Sequence, residues 1–182
     1  MTITDAIPFY RQFGFNLVPL GNDKRPVIVG TYTDRNGKEQ PRRFHWEKWA
    51  EQPQSDEYWR KLPLVSDWWG GVRGLAAVCG PVSGGLVCLD FDGLADAGHV
   101  ADVCQALGLP RDYPWQVRSP GGGFHLWLRC PGLELDKGKL KRDGVACRAI
   151  ELRYTGHYVA LPPSAHPSGG VYGWVHGEPT EL

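Results

Sequence analysis

The chain has 182 residues, 42% hydrophobic and 22% charged, the balance of one globular domain with a real core rather than of a disordered chain. Twenty Lys and Arg offset twenty Asp and Glu, which excludes uniform attraction to polyanions and confines any nucleic-acid contact to a local patch. No apolar run approaches the ~20 residues of a membrane span. Five cysteines with no CxxC spacing and no secretion signal argue against a zinc knuckle or a disulfide framework and for reduced thiols in a cytoplasmic protein.

In chain order, residues 4–13 are predicted as a short helix, capped by Thr4 and packing Ile7, Phe9, Tyr10 and Phe13. Phe15 to Leu20 reads as a strand, followed by the turn Gly21-Asn22-Asp23 and by two cations, Lys24 and Arg25, beside Pro26. Residues 30–43 are polar, turn at Asn36-Gly37 and read as a loop. Trp46, Trp49, Tyr58 and Trp59 fall at helical spacing over 45–51 and 56–62, which predicts core packing before base stacking. Leu75–Cys79 and Leu86–Asp90 read as a hairpin bridged by residues 80–85. Residues 95–107 fit an amphipathic helix with Val100, Val103, Cys104 and Leu107 inward, ended by Gly108. Gln116–Arg118 and Phe124–Arg129 flank a glycine loop, Ala149–Tyr154 and His157–Leu161 read as a last hairpin, and Tyr172-Gly173-Trp174 follows. These elements predict an α+β protein with a mixed, largely antiparallel sheet and flanking helices.

Three of the strands carry chemistry. Side chains alternate along a strand, so Asp90 and Asp92 project together while Val87, Leu89 and Phe91 pack behind. His125 shares a face with Arg129, and Glu151 with Arg153. If the strands share one sheet, a carboxylate cluster, a histidine and two arginines converge, a site suited to a divalent cation and a phosphate-bearing ligand. Asp-x-Asp alone is a weak motif that also opens EF-hand loops and phosphatase strands. In Ser119-Pro120-Gly121-Gly122-Gly123-Phe124-His125, consecutive glycines let backbone N–H groups approach an anion. No Gly-Lys-Ser/Thr follows, so this is not a P-loop, and by itself it also reads as a plain hairpin with a satisfied histidine. The basic run from Lys137 to Arg153 reads either as a solvated loop or as a nucleic-acid patch.

LDFDG at 89–93, SPGGGFHLW at 119–127 and IELR at 150–153, in this order, resemble the three motifs of the prim-pol branch of the archaeo-eukaryotic primase superfamily. FNLVPLGNDKRP at 15–26 and GHYVALPPSAHPSGGVYGW at 156–174 are similar to that family's opening and finish, so the resemblance runs through almost the whole chain. It implies an RRM-like catalytic core and template-dependent DNA primase/polymerase activity, with nucleotidyl transfer to a 3′-hydroxyl and release of pyrophosphate. It implies Asp90, Asp92 and Glu151 as catalytic ligands of two Mg²⁺ or Mn²⁺ ions, with no zinc. Ser119, Gly121, Gly122, Gly123, His125 and Arg153 would hold the triphosphate. The implied partners are nucleoside triphosphates, a single-stranded DNA template with its primer, and a helicase or another domain of a parent protein; no membrane is implied. Residues 1–182 are expected to form one catalytic domain, a fragment of a larger protein. The sequence departs from the family in having Glu151 where many relatives carry Asp, and in lacking a zinc-binding stem and a helicase motif. Two other classes compete: a non-catalytic module that binds nucleotide or a nucleic-acid end, and a haloacid-dehalogenase-type phosphatase with Asp90 as nucleophile.

Overall fold

The computed structural model describes residues 1–91, 97–134 and 150–182. The described elements, in chain order, are α1 (Ile3–Arg11), β1 (Leu17–Leu20), β2 (Ile28–Thr33), β3 (Glu39–Arg43), α2 (Asp56–Val65), β4 (Gly74–Val78), β5 (Leu86–Phe91), α3 (Ala97–Ala106), β6 (Gln116–Arg118), β7 (Phe124–Arg129), β8 (Ile150–Arg153), β9 (Tyr158–Leu161) and β10 (Gly173–Trp174). The fold is α+β, as expected, but every pairing among the described strands is antiparallel rather than mixed.

The first helix starts two residues earlier than expected, with Thr2 rather than Thr4 as its cap. Asp5 decides this: Thr2 Oγ1 accepts the Asp5 N–H at 3.2 Å while the Asp5 carboxylate accepts the Thr2 N–H at 3.0 Å, satisfying two end donors reciprocally. The predicted stop of α3 holds. Gly108, at φ +75°, ends it as Gly108 N–H bonds Gln105 O and Leu109 N–H bonds Cys104 O. Val100 and Cys104 are buried as predicted and Val103 partly so, but Leu107 lies past the last turn and is 50% exposed.

A three-stranded sheet has the order β1-β4-β9, and a five-stranded sheet the order β10-β6-β7-β5-β8. Both predicted hairpins at 75–90 and 149–161 are therefore corrected. β4 and β9 join one sheet, and β5 and β8 the other. Between β4 and β5, Gly80, Gly84 and Gly85 all take positive φ around a short 3-10 turn, Pro81–Ser83, and rotate the chain out of its first sheet. Only the bridge Gly80↔Leu86 survives of the expected ladder. The turn after β8, with Gly156 at φ +81°, makes the same crossing in reverse.

The main core lies between the two sheets and takes in Leu17, Leu75, Leu86, Trp115, Trp127 and Leu161, with Tyr10 and Ala6 of α1 and Trp59 of α2 packed into it. The aromatic stripe is core, as predicted: Trp59 is buried, Trp49 nearly so, and Trp46 and Tyr58 pack against it. Cys79 and Cys88 are buried filler, and burial pushes both thiols well up in pKa. A smaller core of Phe91, Val100, Cys104, Phe124 and Leu126 fills the space between α3 and the other face of the five-stranded sheet.

Gln54 closes the outer edge of β1. Its side chain accepts the Leu17 N–H (2.6 Å) and the Trp59 indole N–H (2.6 Å), and donates to Leu17 O (2.8 Å), standing in for a missing strand. Residues 30–43, expected as a loop, form most of a two-stranded ribbon, β2–β3. Asp34 holds its turn by accepting the Lys38 N–H, the Gln40 side-chain amide and the Asn36 N–H, and these bonds, Lys38 foremost, lower its pKa. The β-branched run from Val27 to Val29 and Thr31-Tyr32-Thr33 supply the strand propensity that the polar composition concealed.

Candidate functional site

Along β5 the face turned toward the main core changes character. Leu86 and Cys88 are fully buried, and Asp90, two residues on, reaches the edge of that core. Its register places it directly between His125 of β7 and Glu151 of β8, while Cys88 lies between Trp127 and Arg153. The three strands do share one sheet, as the alternation required. Asp90, His125 and Glu151 form one row across it, with Arg153 in the next row.

Arg153 ties the carboxylates together. Its Nε (3.3 Å) and Nη2 (3.2 Å) both donate to Asp90 Oδ2, and Nη2 also pairs with Glu151. His125 Nε2 lies 3.6 Å from Asp90 Oδ1. Exposure rises across the row, from 8% for the His125 side chain and 16% for Asp90 to 56% for Glu151. The second expected arginine does not reach the site. Arg129 sits at the far end of β7, opposite Leu86, and its guanidinium bonds the carbonyls of Phe13, Ser83 and Gly84.

Asp90, His125 and Arg153 line a cavity of about 340 Å³, a volume suited to a small-molecule ligand. The Ser119–Gly123 turn between β6 and β7 forms another wall, and Tyr158–Ala160 of β9 bring the three-stranded sheet against it. Ser119 N–H bonds Gly123 O (2.9 Å), and Ser119 Oγ accepts the Gly123 N–H (3.0 Å), so the serine braces the turn from within. The three glycines differ. Gly122 takes φ +91°; a Cβ on Gly123 would lie 2.6 Å from Phe91 O; Gly121 meets nothing closer than 3.8 Å. Gly121 therefore leaves open backbone at the cavity for an anion to approach.

Three lining residues had no role in the sequence reading: Lys24, His166 and Tyr172. Lys24, at φ +60°, directs Nζ to His166 Nε2 at 3.3 Å. On the other side of the ring, Nδ1 accepts the Ser168 N–H at 3.1 Å and lies 2.6 Å from Ser168 Oγ. Burial, and then the Lys24 charge, hold the His166 pKa below its ordinary value. Tyr172 lies between the histidines, with ring centroids 5.4 Å from His125 and 5.8 Å from His166. Lys24 was visible only as a cation beside Pro26, and His166 only inside the 156–174 resemblance; no local pattern places either in a cleft.

Asp92 and the basic residues from Lys137 to Arg148 lie outside the described residues. Among the described residues, no cluster of three or more acidic, histidine or cysteine side chains forms a metal site, and no helix is long and apolar enough to cross a membrane.

Comparison with curated proteins returns no match. The family model for the N-terminal domain of bifunctional DNA primase/polymerase (Prim-Pol) matches residues 6–182, nearly the whole chain. With Asp90, its strand neighbour Glu151 and a cleft that Asp90 shares with the glycine turn set in an antiparallel α+β fold, the chain belongs to the Prim-Pol family of bifunctional DNA primase/polymerase N-terminal domains.

Proposed function

We propose that this domain, built on the RRM-like core of the archaeo-eukaryotic primases, is a template-dependent nucleotidyltransferase. It joins a nucleoside triphosphate to a 3′-hydroxyl and releases pyrophosphate. The observation that carries this reading is the row His125–Asp90–Glu151 set by strand register, with His125 and Asp90 lining one cavity together with the glycine turn.

Asp90 and Glu151 present carboxylate oxygens, the hard donors that Mg²⁺ and Mn²⁺ take, and with Asp92 they would hold two such ions. Bound there, the ions supply neutralisation of triphosphate charge and a lowered pKa for the attacking hydroxyl. Arg153 keeps the two carboxylates convergent before any cation arrives. Ser119, the open backbone of Gly121, and His125 receive the triphosphate, with Gly122 and Gly123 shaping the turn. Lys24 adds an ammonium donor beside His166 on another wall of the cavity. The chain's own work is positioning and charge neutralisation, the larger part of phosphoryl-transfer catalysis. The antiparallel pairing of the described strands lends nothing to the phosphatase alternative.

Extension of a labelled primer on a single-stranded template tests the proposal, with dNTPs or NTPs and Mg²⁺ or Mn²⁺, beside Asp90→Ala. Template-directed extension, lost in a variant that keeps its circular dichroism spectrum, is the expected result. Extension retained by Asp90→Ala refutes the assignment. Metal-dependent triphosphate binding with no turnover under either metal supports the non-catalytic module instead.

A further inference from the structure

The β2–β3 ribbon touches the main core only at its base, where Val29 packs against it. Every residue of its two strands is exposed or half-buried, and Tyr32 is 49% exposed. Beyond Val29 the ribbon buries little, and a lone two-stranded hairpin is marginal in water. Its composition is nonetheless one-sided. From Lys24 to Arg43 the chain carries six cations against Asp34 and Glu39, in a protein whose net charge is zero. Arg43 is engaged at the base, with Asp23 (2.8 Å) and Pro26 O (2.8 Å). Arg25, Arg35, Lys38 and Arg42 are exposed and make no ion pair among the described residues.

The register sorts these side chains. Tyr32 lies opposite Gln40, and Gly30 opposite Arg42, so Tyr32 and Arg42 are diagonal neighbours on one face. Gly30 has no side chain to cover the ground between them, which leaves an aromatic ring and a guanidinium flanking a flat, open stretch of backbone. An aromatic ring offers a face to any base, and cations spaced along a strand follow a phosphodiester backbone. The ribbon is also continuous with the cleft. Lys24 lines the cavity just ahead of β2, and Trp46, three residues past β3, packs edge-on (4.8 Å) against Tyr158 of the cavity wall.

We propose that the β2–β3 ribbon grips single-stranded DNA, with a base stacked on Tyr32 and phosphates on Arg35, Lys38 and Arg42, and leads the strand to the cavity. The inference rests on the nucleotidyltransferase reading and names the element that holds the template. Six residues of extended strand give a track of about 20 Å, long enough to follow several consecutive phosphates.

The test is fluorescence anisotropy of a mixed-sequence single-stranded oligonucleotide over a salt series, with wild type, Arg35→Ala/Lys38→Ala/Arg42→Ala and Tyr32→Ala. Loss of three phosphate contacts is expected to flatten the slope of log K against log salt by about 2, and to weaken binding by about 100-fold at 0.1 M salt. Tyr32→Ala is expected to weaken it between about fivefold and a hundredfold with the slope unchanged. A fluorescent nucleoside triphosphate should bind both variants as it binds wild type, because no altered residue lines the cavity. Unchanged oligonucleotide affinity and slope in the triple variant overturns the ribbon proposal while primer extension by wild type leaves the enzyme reading standing. A wild type that binds triphosphate but no oligonucleotide likewise overturns the ribbon. Absence of both triphosphate binding and extension removes the enzyme reading itself.

Discussion

Replacing Gly123 by alanine drives a methyl group into the backbone that carries the site. The new Cβ would lie 2.6 Å from Phe91 O and 3.3 Å from Ser119 Oγ. Carbon–oxygen contacts settle at about 3.3 Å or more, so β7 and β5 must part by roughly 0.7 Å at the residue that follows Asp90. Neither neighbour is a flexible side-chain tip: one is a main-chain carbonyl and the other is the hydroxyl that braces the turn. Overpacking of this kind costs about 1–3 kcal/mol, which lowers the melting temperature of a domain this size by roughly 2–12 °C. A displacement approaching 1 Å at catalytic groups costs up to about a hundredfold in rate, so primer extension is expected to fall between about tenfold and a hundredfold. Gly121→Ala is the control. Its Cβ meets the His166 ring at 3.8 Å and Ser119 Oγ at 3.9 Å, ordinary contacts, and its φ is not left-handed, so the melting temperature should hold while the KM for nucleotide rises. Thermal unfolding followed by circular dichroism, with initial extension rates at varied nucleotide, separates the two variants. Equal melting temperatures for Gly123→Ala and wild type would show that the contact with Phe91 O does not constrain the turn.

Gln54→Ala orphans the Leu17 N–H and C=O and the Trp59 indole together; urea denaturation should show a loss of about 3–5 kcal/mol, and a loss under about 1 kcal/mol would remove Gln54 from the edge of β1. Arg153→Lys keeps the charge without the planar fork on Asp90 and Glu151, so kcat should fall by about 10–100-fold with KM little changed, as steady-state extension kinetics would read. His166 is neutral near pH 7 because its pKa is depressed, first by burial and then by Lys24. A triphosphate beside it favours the imidazolium and raises that pKa, so binding takes up a proton and affinity should strengthen as pH falls from about 7.5 to about 6. His166→Gln should lose that part of the slope and keep only the part owed to the phosphate's own titration.

The features legible along the chain are local ones. Strict alternation in residues 86–91, 124–129 and 150–153 put Asp90, His125, Glu151 and Arg153 on defined faces, because side-chain direction in a strand depends only on position parity. The glycine turn and the end of α3 at Gly108 were legible for the same reason, since positive φ is a property of single residues. The cap at Thr2 is local too, but its partner Asp5 selects it over Thr4, the Thr nearer the apolar run. Tertiary structure decided the rest. Residues 74–78 and 86–91 look like a hairpin, and only the glycine-turned crossing between them sends each to its own sheet. Arg129 has the same parity as His125, yet its distance along β7 spends it on the carbonyls of Phe13, Ser83 and Gly84. Lys24 and His166 meet across 142 residues of chain. Periodicity reports which way a side chain faces, whereas the partner it faces is set by strand pairing and by the packing of one sheet on the other, and neither leaves a local mark in the sequence.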